Sequence, residues 1–216
     1  MKRREFSQVA TGAALASGWL PTVALAQGKK PEAGTDYQVL DPRAPVDAPA
    51  GKIEIVEFFW YSCPHCNAFE PTLDAWTKKL PKDVVFRRAP VAFRDDFVPQ
   101  QRLYFALDAM GLVDKLHAKV FAAIHVEKQN LASSDAIVDW VAKQGIEKAK
   151  FLEQYNSFTV ATKATRSKQL QNAYKVEGVP AMGVAGRYYS DGSMAGNMER
   201  VLQIVDTLTA SIRSGR

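Results

Sequence analysis

Cysteine is nearly missing from these 216 residues. There are two, and both fall in Cys63-Pro64-His65-Cys66. With no third cysteine in the chain, the natural partner of each is the other. A bond closing so short a loop restricts the unfolded chain very little, so its value is chemical rather than structural. The C-x-x-C spacing lets one thiolate attack a disulfide while the second stands ready to resolve the mixed disulfide. Histidine is scarce as well, with three in the chain. A structural zinc takes about four Cys/His ligands. His65 cannot easily join its flanking cysteines on one metal, and His117 and His125 lie far downstream, so no metal is expected. Blocks of like charge are absent. The basic residues are scattered, which points to solvated faces rather than a nucleic-acid patch. There is no internal repeat and no low-complexity tract, and no stretch beyond residue 26 is apolar and long enough to span a membrane.

What is present begins with an export pattern. Lys2, Arg3 and Arg4 form a basic start, residues 9–25 are apolar and small, and Ala24-Leu25-Ala26 offers an A-x-A cleavage site before Gln27. Arg3-Arg4-Glu5-Phe6 resembles a twin-arginine signal, although any basic start can carry two arginines. Removing residues 1–26 lowers the formal charge from +5 to +3 and leaves 190 residues. That is long enough to bury a core without staples. Exposed thiols in an exported protein meet oxidising conditions, where the pair can act as substrate, oxidant or reductant.

The cysteine motif follows Ile53-Glu54-Ile55-Val56-Glu57-Phe58-Phe59-Trp60-Tyr61. The run is short and rich in β-branched and aromatic residues, which predicts a buried strand. After the motif, Phe69, Leu73, Trp76 and Leu80 recur at helical spacing. Pro64 suits the first turn of that helix, where its missing N–H is no loss. Cys63 would then sit at the helix N-terminus, where unpaired N–H groups and the dipole favour an anion and lower a thiol pKa. A short strand over residues 37–40 precedes the central one, and Val84-Val85-Phe86 opens another running to about residue 93. A helical block follows, with Leu103, Ala106, Leu107 and Met110 on one face and Val113, Leu116, Val120 and Ile124 on a second. Ser133, Ser134 and Asp135 are capping candidates before Ile137. Shorter helices are expected around Phe151 and Tyr155 and over residues 158–174. A strand pair with a turn near Gly186 comes next. A last helix carries Val201, Leu202, Ile204, Val205, Leu208 and Ile212 on one face, with Asn197 near its cap. The reading is an α/β sheet interrupted by helices.

The strand ending Val56-Glu57-Phe58-Phe59, the Cys63-Pro64-His65-Cys66 motif, the helical interruption and Gly178-Val179-Pro180-Ala181-Met182 together resemble the DsbA family. These are thioredoxin-fold thiol:disulfide oxidases of the bacterial periplasm. The resemblance covers nearly all of the chain beyond residue 26. It implies a thioredoxin-like fold with an inserted helical subdomain: residues 1–26 as export signal, 27–94 and 158–216 as the thioredoxin-like part, 95–157 as the insertion. It also implies roles. Cys63 would be the attacking and leaving sulfur and Cys66 its buried resolving partner, with Pro64 and His65 tuning the couple. Val179 and Pro180 match a cis-proline loop that faces substrate. Glu57 matches an acidic position of the central strand. Among apolar neighbours its carboxyl pKa should rise, and it could then relay a proton to or from Cys66. The alternatives are that Glu57 points to solvent at the sheet edge or pairs with a cation such as Arg88. His117, on the apolar face of its helix, reads as a core histidine. Trp76 and Trp140 read as core, and Asp95-Asp96 as a solvated loop.

The activity so implied is donation of the Cys63-Cys66 disulfide to newly exported, unfolded polypeptides in the periplasm. A membrane reoxidase resembling DsbB would restore the pair. No cofactor site is visible in the sequence. A reductase or isomerase of the same fold is the rival, or a peptide-binding module without catalysis. An isomerase of the DsbC type needs an added dimerisation domain, for which residues 27–50 are too few. Reductases more often carry Gly-Pro between the cysteines. Binding alone needs neither cysteine.

Overall fold

The computed structural model describes residues 30–215. The expected export segment, residues 1–26, lies outside the described residues. In chain order come β1 (Gln38–Val39), β2 (Ile53–Phe59), α1 (Pro64–Thr77), β3 (Val84–Pro90) and a 3-10 turn (Asp95–Phe97). Next are α2 (Val98–Ala109), α3 (Val113–His125), α4 (Ser134–Lys143), α5 (Lys148–Tyr155) and α6 (Phe158–Ala173). The chain ends with β4 (Ala181–Val184), β5 (Tyr188–Asp191), α7 (Gly192–Ala195) and α8 (Met198–Arg213). The strands form one sheet in the order β1-β5-β4-β2-β3. β3 runs parallel to β2, and the other pairings are antiparallel.

β2 lies inside the sheet, and all of its residues are buried. A strand covered on both faces reads as a continuous apolar run, and alternate side chains take opposite faces. Ile53 and Ile55 pack with Met182 and Val184, with Phe69 and Leu73 of α1, and with Val201, Ile204 and Val205 of α8. Val56 and Phe58 pack with Ala89, Ala181, Leu170 and Tyr174. By the same alternation Glu57 falls on the α1 face and Glu54 on the α6 face. Glu54 is satisfied there, accepting from the Asp47 N–H at 3.0 Å and from Arg87 at 3.2 Å.

The end of β2 leaves the sheet core. Phe59, Tyr61, Cys63 and Cys66 share a hydrophobic cluster with Leu103 and Leu107 of α2, Leu116, Val120 and Phe121 of α3, and Ile137, Val141 and Phe151. The cysteine pair is therefore seated on the helical layer. α6 serves both cores, with Val160 and Ala164 in the helical cluster and Leu170 under the sheet. The expected caps are made: Ser133 Oγ accepts the Ala136 N–H and Asn197 Oδ1 accepts the Arg200 N–H. The β4–β5 turn has Ala185 and Gly186 both at positive φ, the hand that suits a tight hairpin. A Cβ at Gly186 would lie 2.2 Å from the Ala44 carbonyl oxygen, so only glycine fits.

Four details depart from the sequence reading. α1 stops at Thr77 rather than near Leu80, because the N–H groups of Lys79 and Leu80 close 3-10-type bonds to Trp76 and Thr77. β3 stops at Pro90, short of residue 93. Trp76 is only half-buried, since its indole N–H turns outward to Asp206 at 3.1 Å, whereas Trp140 is in the core. Asp95 and Asp96 are solvated as expected, but they lie in the 3-10 turn rather than a loop, with Arg94 pairing Asp96 at 2.9 Å.

Candidate functional site

Cys63 is the N-cap of α1 and Pro64 opens the helix. Cys63 Sγ accepts the Cys66 N–H at 3.4 Å and donates to the Val179 carbonyl at 3.3 Å. Both cysteines are free thiols. The Cys66 side chain, by hydrogen bonding to Cys63, draws the Cys63 thiol down to about 6. The backbone N–H groups of Cys66 and His65 add to this, as does the His65 imidazole, against the opposing effect of partial burial. Cys66 is fully buried, and burial pushes its thiol well above the ordinary range, with the Cys63 bond and the nearby Glu57 acting in the same direction. Two chemically identical side chains, three residues apart, thus differ in kind: one is a ready thiolate and the other a protected thiol.

Pro64 and His65 are exposed at the rim. The Val179-Pro180 peptide is cis. Its carbonyl side meets Cys63 while Pro180 is buried at the start of β4. A groove of about 480 Å³ runs beside these groups, lined by His65, Phe69, Val179, Pro180 and Met198. The structure therefore brings Cys63, Cys66, Pro64, His65, Val179 and Pro180 to one place.

Glu57 lies on the inner side. It has no exposed surface, and it pairs with Arg88 at 2.9 Å. Buried group and partner of Arg88 are alternatives in the sequence, and in the structure both hold. The parallel register places Glu57 beside Arg88 on neighbouring strands, so a buried carboxyl and a cation on β3 meet across the ladder. Burial raises the Glu57 carboxyl to about 8 even though Arg88 pulls it down, and Glu70 raises it further. Its Oε1 has no hydrogen-bond partner among the described residues, which leaves an oxygen able to carry a proton.

Several site residues are not singled out by the sequence. Arg88 also binds Glu70 Oε1 at 2.6 Å. Glu70 Oε2 lies 3.3 Å from His117 Nε2, and His117 Nδ1 meets the Tyr61 hydroxyl at 2.9 Å. Burial lowers the His117 pKa and favours the neutral ring, whose tautomer sets which of His117 Nδ1 and the Tyr61 hydroxyl donates. His117 is a buried, hydrogen-bonded core histidine, as its apolar face suggests. Glu70 follows Cys66 by four residues, so helical spacing is a usable signal for it. Trp60 and Tyr61 precede the motif and read from the sequence either as flanks of the active site or as ordinary packing, whereas nothing local announces His117 as part of the site. No group of three or more His, Cys, Asp or Glu side chains among the described residues could hold a metal ion.

Residues 54–206 match the family model described as a DSBA-like thioredoxin domain. A thiol:disulfide interchange protein DsbA of Burkholderia cepacia is 40% identical over 199 residues, covering 92% of this chain and 94% of the relative. The protein of the same name from Pseudomonas aeruginosa is 42% identical over 189 residues, covering 88% of this chain and 89% of the relative. Among solved structures, a crystal structure of Pseudomonas aeruginosa DsbA superposes with a TM-score of 0.80 at 42% identity, covering 84% of this chain and 94% of that one. The oxidoreductase DsbA from Xylella fastidiosa gives 0.79 at 31% identity, covering 85% and 98%.

Proposed function

The chain belongs to the family of DSBA-like thioredoxin domains and is a protein dithiol:disulfide oxidoreductase, and we propose that the Cys63-Cys66 couple carries its chemistry. A substrate thiolate attacks Cys63 Sγ of the oxidised pair. The Cys63-Cys66 bond breaks, Cys66 leaves with the electron pair and takes a proton, and a mixed disulfide joins the substrate to Cys63. A second substrate thiolate then attacks the substrate sulfur of that bond. Cys63 leaves as thiolate, the substrate has lost two electrons, and the enzyme is a dithiol. The observation that carries this is the asymmetry of the pair: Cys63 caps a helix and is drawn down to about 6, while Cys66 is buried and held protonated. Whatever stabilises reduced Cys63 makes the disulfide a stronger oxidant and Cys63 a better leaving group.

Substrates in this reading are unfolded, newly exported polypeptides, and the groove beside Val179 and Pro180 receives an extended segment. Pro64 and His65 tune the couple from the rim. A membrane reoxidase resembling DsbB accepts the two electrons. The protein works in the periplasm after loss of residues 1–26, with residues 95–157 as the inserted helical subdomain. Purified protein equilibrated with reduced and oxidised glutathione should form a couple more oxidising than glutathione itself. A couple near the roughly −270 mV of a thioredoxin-type reductant overturns the donor role.

Glu57 is assigned the proton that Cys66 needs on leaving. Protonated Glu57 gives it and the ionised form cannot. After correction for substrate thiolate, the donation rate should therefore fall as pH rises through about 8. Glu57→Gln should erase that inflection and slow donation by up to about 10²-fold. An unchanged pH–rate profile in stopped-flow oxidation of a dithiol peptide removes Glu57 from the mechanism.

A further inference from the structure

Cys63 is delivered by a tight turn. Its N–H bonds the Trp60 carbonyl at 3.0 Å, so Tyr61 and Ser62 are the central residues. The peptide joining them is the one whose rotation interconverts turn types. Here both ends of that peptide are held by the helical layer. Its carbonyl, on Tyr61, accepts from His125 Nε2 of α3 at 2.8 Å. Its N–H, on Ser62, donates to Gln100 Oε1 of α2 at 3.1 Å. Gln100 is almost fully buried, 2% exposed, beside the equally buried Gln101 of α2. Its Nε2 donates to Ser62 Oγ at 2.7 Å and to the Leu131 carbonyl at 3.2 Å. One N–H to accept and one carbonyl to serve leave the carboxamide a single orientation. A buried amide with all these partners has a specific geometric role, since an apolar residue of the same size would pack there without them.

We infer that Gln100, with His125 on the opposite end of the same peptide, is a positioning residue that fixes the Tyr61-Ser62 unit and thereby the place of Cys63 Sγ at the N-terminus of α1. Gln100 touches neither sulfur. It acts through Ser62, the residue before Cys63. The inference rests on the proposed role of Cys63. Freed from the pin, the turn can rotate, and Cys63 Sγ loses alignment with the Cys66 N–H that it accepts at 3.4 Å. The helical layer then bears directly on the redox couple rather than only covering it.

Gln100→Met keeps the volume and removes every polar contact. In the reduced, folded variant, thiolate absorbance should give a Cys63 acid constant lowered about fivefold, the size of one net hydrogen bond. The glutathione equilibrium should become less oxidising by a similar factor. His125→Ala should move both in the same direction. A purely structural role predicts a lower unfolding midpoint with both readings at parent values, and that result overturns the inference. Should Gln100→Met not fold, His125→Ala, at a half-buried site, decides alone, and parent values there overturn it equally. Rapid alkylation of the reduced parent separates this from the underlying assignment. If Cys66 rather than Cys63 reacts first, the proposed chemistry falls. If Cys63 reacts first and the variants do not shift, only the pin falls.

Discussion

Cys63→Ser should reduce disulfide donation to the uncatalysed background, a loss of about 10³-fold or more. The reason is stoichiometric as well as kinetic. Without Cys63 there is no internal disulfide to give and no sulfur to hold the mixed intermediate. Cys66→Ala should behave differently. Cys63 remains a helix-capping thiolate, so it still enters a mixed disulfide with a single-cysteine peptide supplied as its glutathione disulfide, glutathione leaving as the thiolate. Neither Cys66 nor a second substrate thiol is there to resolve that bond, and the adduct should persist on a non-reducing gel. Mass spectrometry should place it on Cys63. Cys66 is fully buried, yet losing its sulfur removes one atom's packing, a cost of about 1–2 kcal/mol. Full oxidase activity in Cys63→Ser, or an adduct that dissolves in Cys66→Ala as fast as in the parent, contradicts the assigned order of events.

Arg88→Met should produce the largest loss of stability, roughly 3–5 kcal/mol above about pH 8. Arg88 spans two carboxyls, Glu57 at 2.9 Å and Glu70 at 2.6 Å, with its side chain only 15% exposed. Methionine fits the hydrocarbon path but leaves both acids without their cation. The deficit should depend on pH, with a definite sign. Burial raises Glu57 from its ordinary 4.5 to about 8 in the folded protein. Between those values the folded state binds a proton that the unfolded chain has lost. The contribution of Glu57 to stability is therefore fully present below about 4.5 and is lost as pH rises through about 8. Arg88 is the group that limits this rise, so its removal should carry the fall on to higher pH. As far as Glu57 sets it, denaturant midpoints of parent and variant should run parallel between about pH 4.5 and 8 and diverge above about 8. A deficit that stays constant above pH 8 as well would mean that lost packing, rather than uncompensated charge, explains the variant.

Most of the fold is legible in the sequence because its signals are local. The central strand declares itself by a short run rich in β-branched and aromatic residues, α8 by its apolar face and its Asn197 cap, and the β4–β5 turn by Gly186. The ends of elements are less legible. Leu80 continues the apolar stripe of α1 and so extends the expected helix, but hydrogen bonding at the last turn tightens earlier. Trp76 reads as core by residue type, whereas its N–H finds Asp206 at the surface.

The sequence by itself determined the chemistry on offer: one cysteine pair at redox spacing, a proline in the first helical turn, and an acid within a buried strand. These are matters of residue type and short spacing, fixed before any long-range contact. Only the tertiary structure decided how the two sulfurs differ and which groups answer for them. Glu57 meets Arg88 through strand register across 31 residues. Val179 reaches Cys63 across 116, and Gln100 grips Ser62 across 38. Burial and hydrogen-bond partners are properties of neighbours in space. At such separations those neighbours follow from how the sheet and the helical layer pack, which spacing along the chain does not encode.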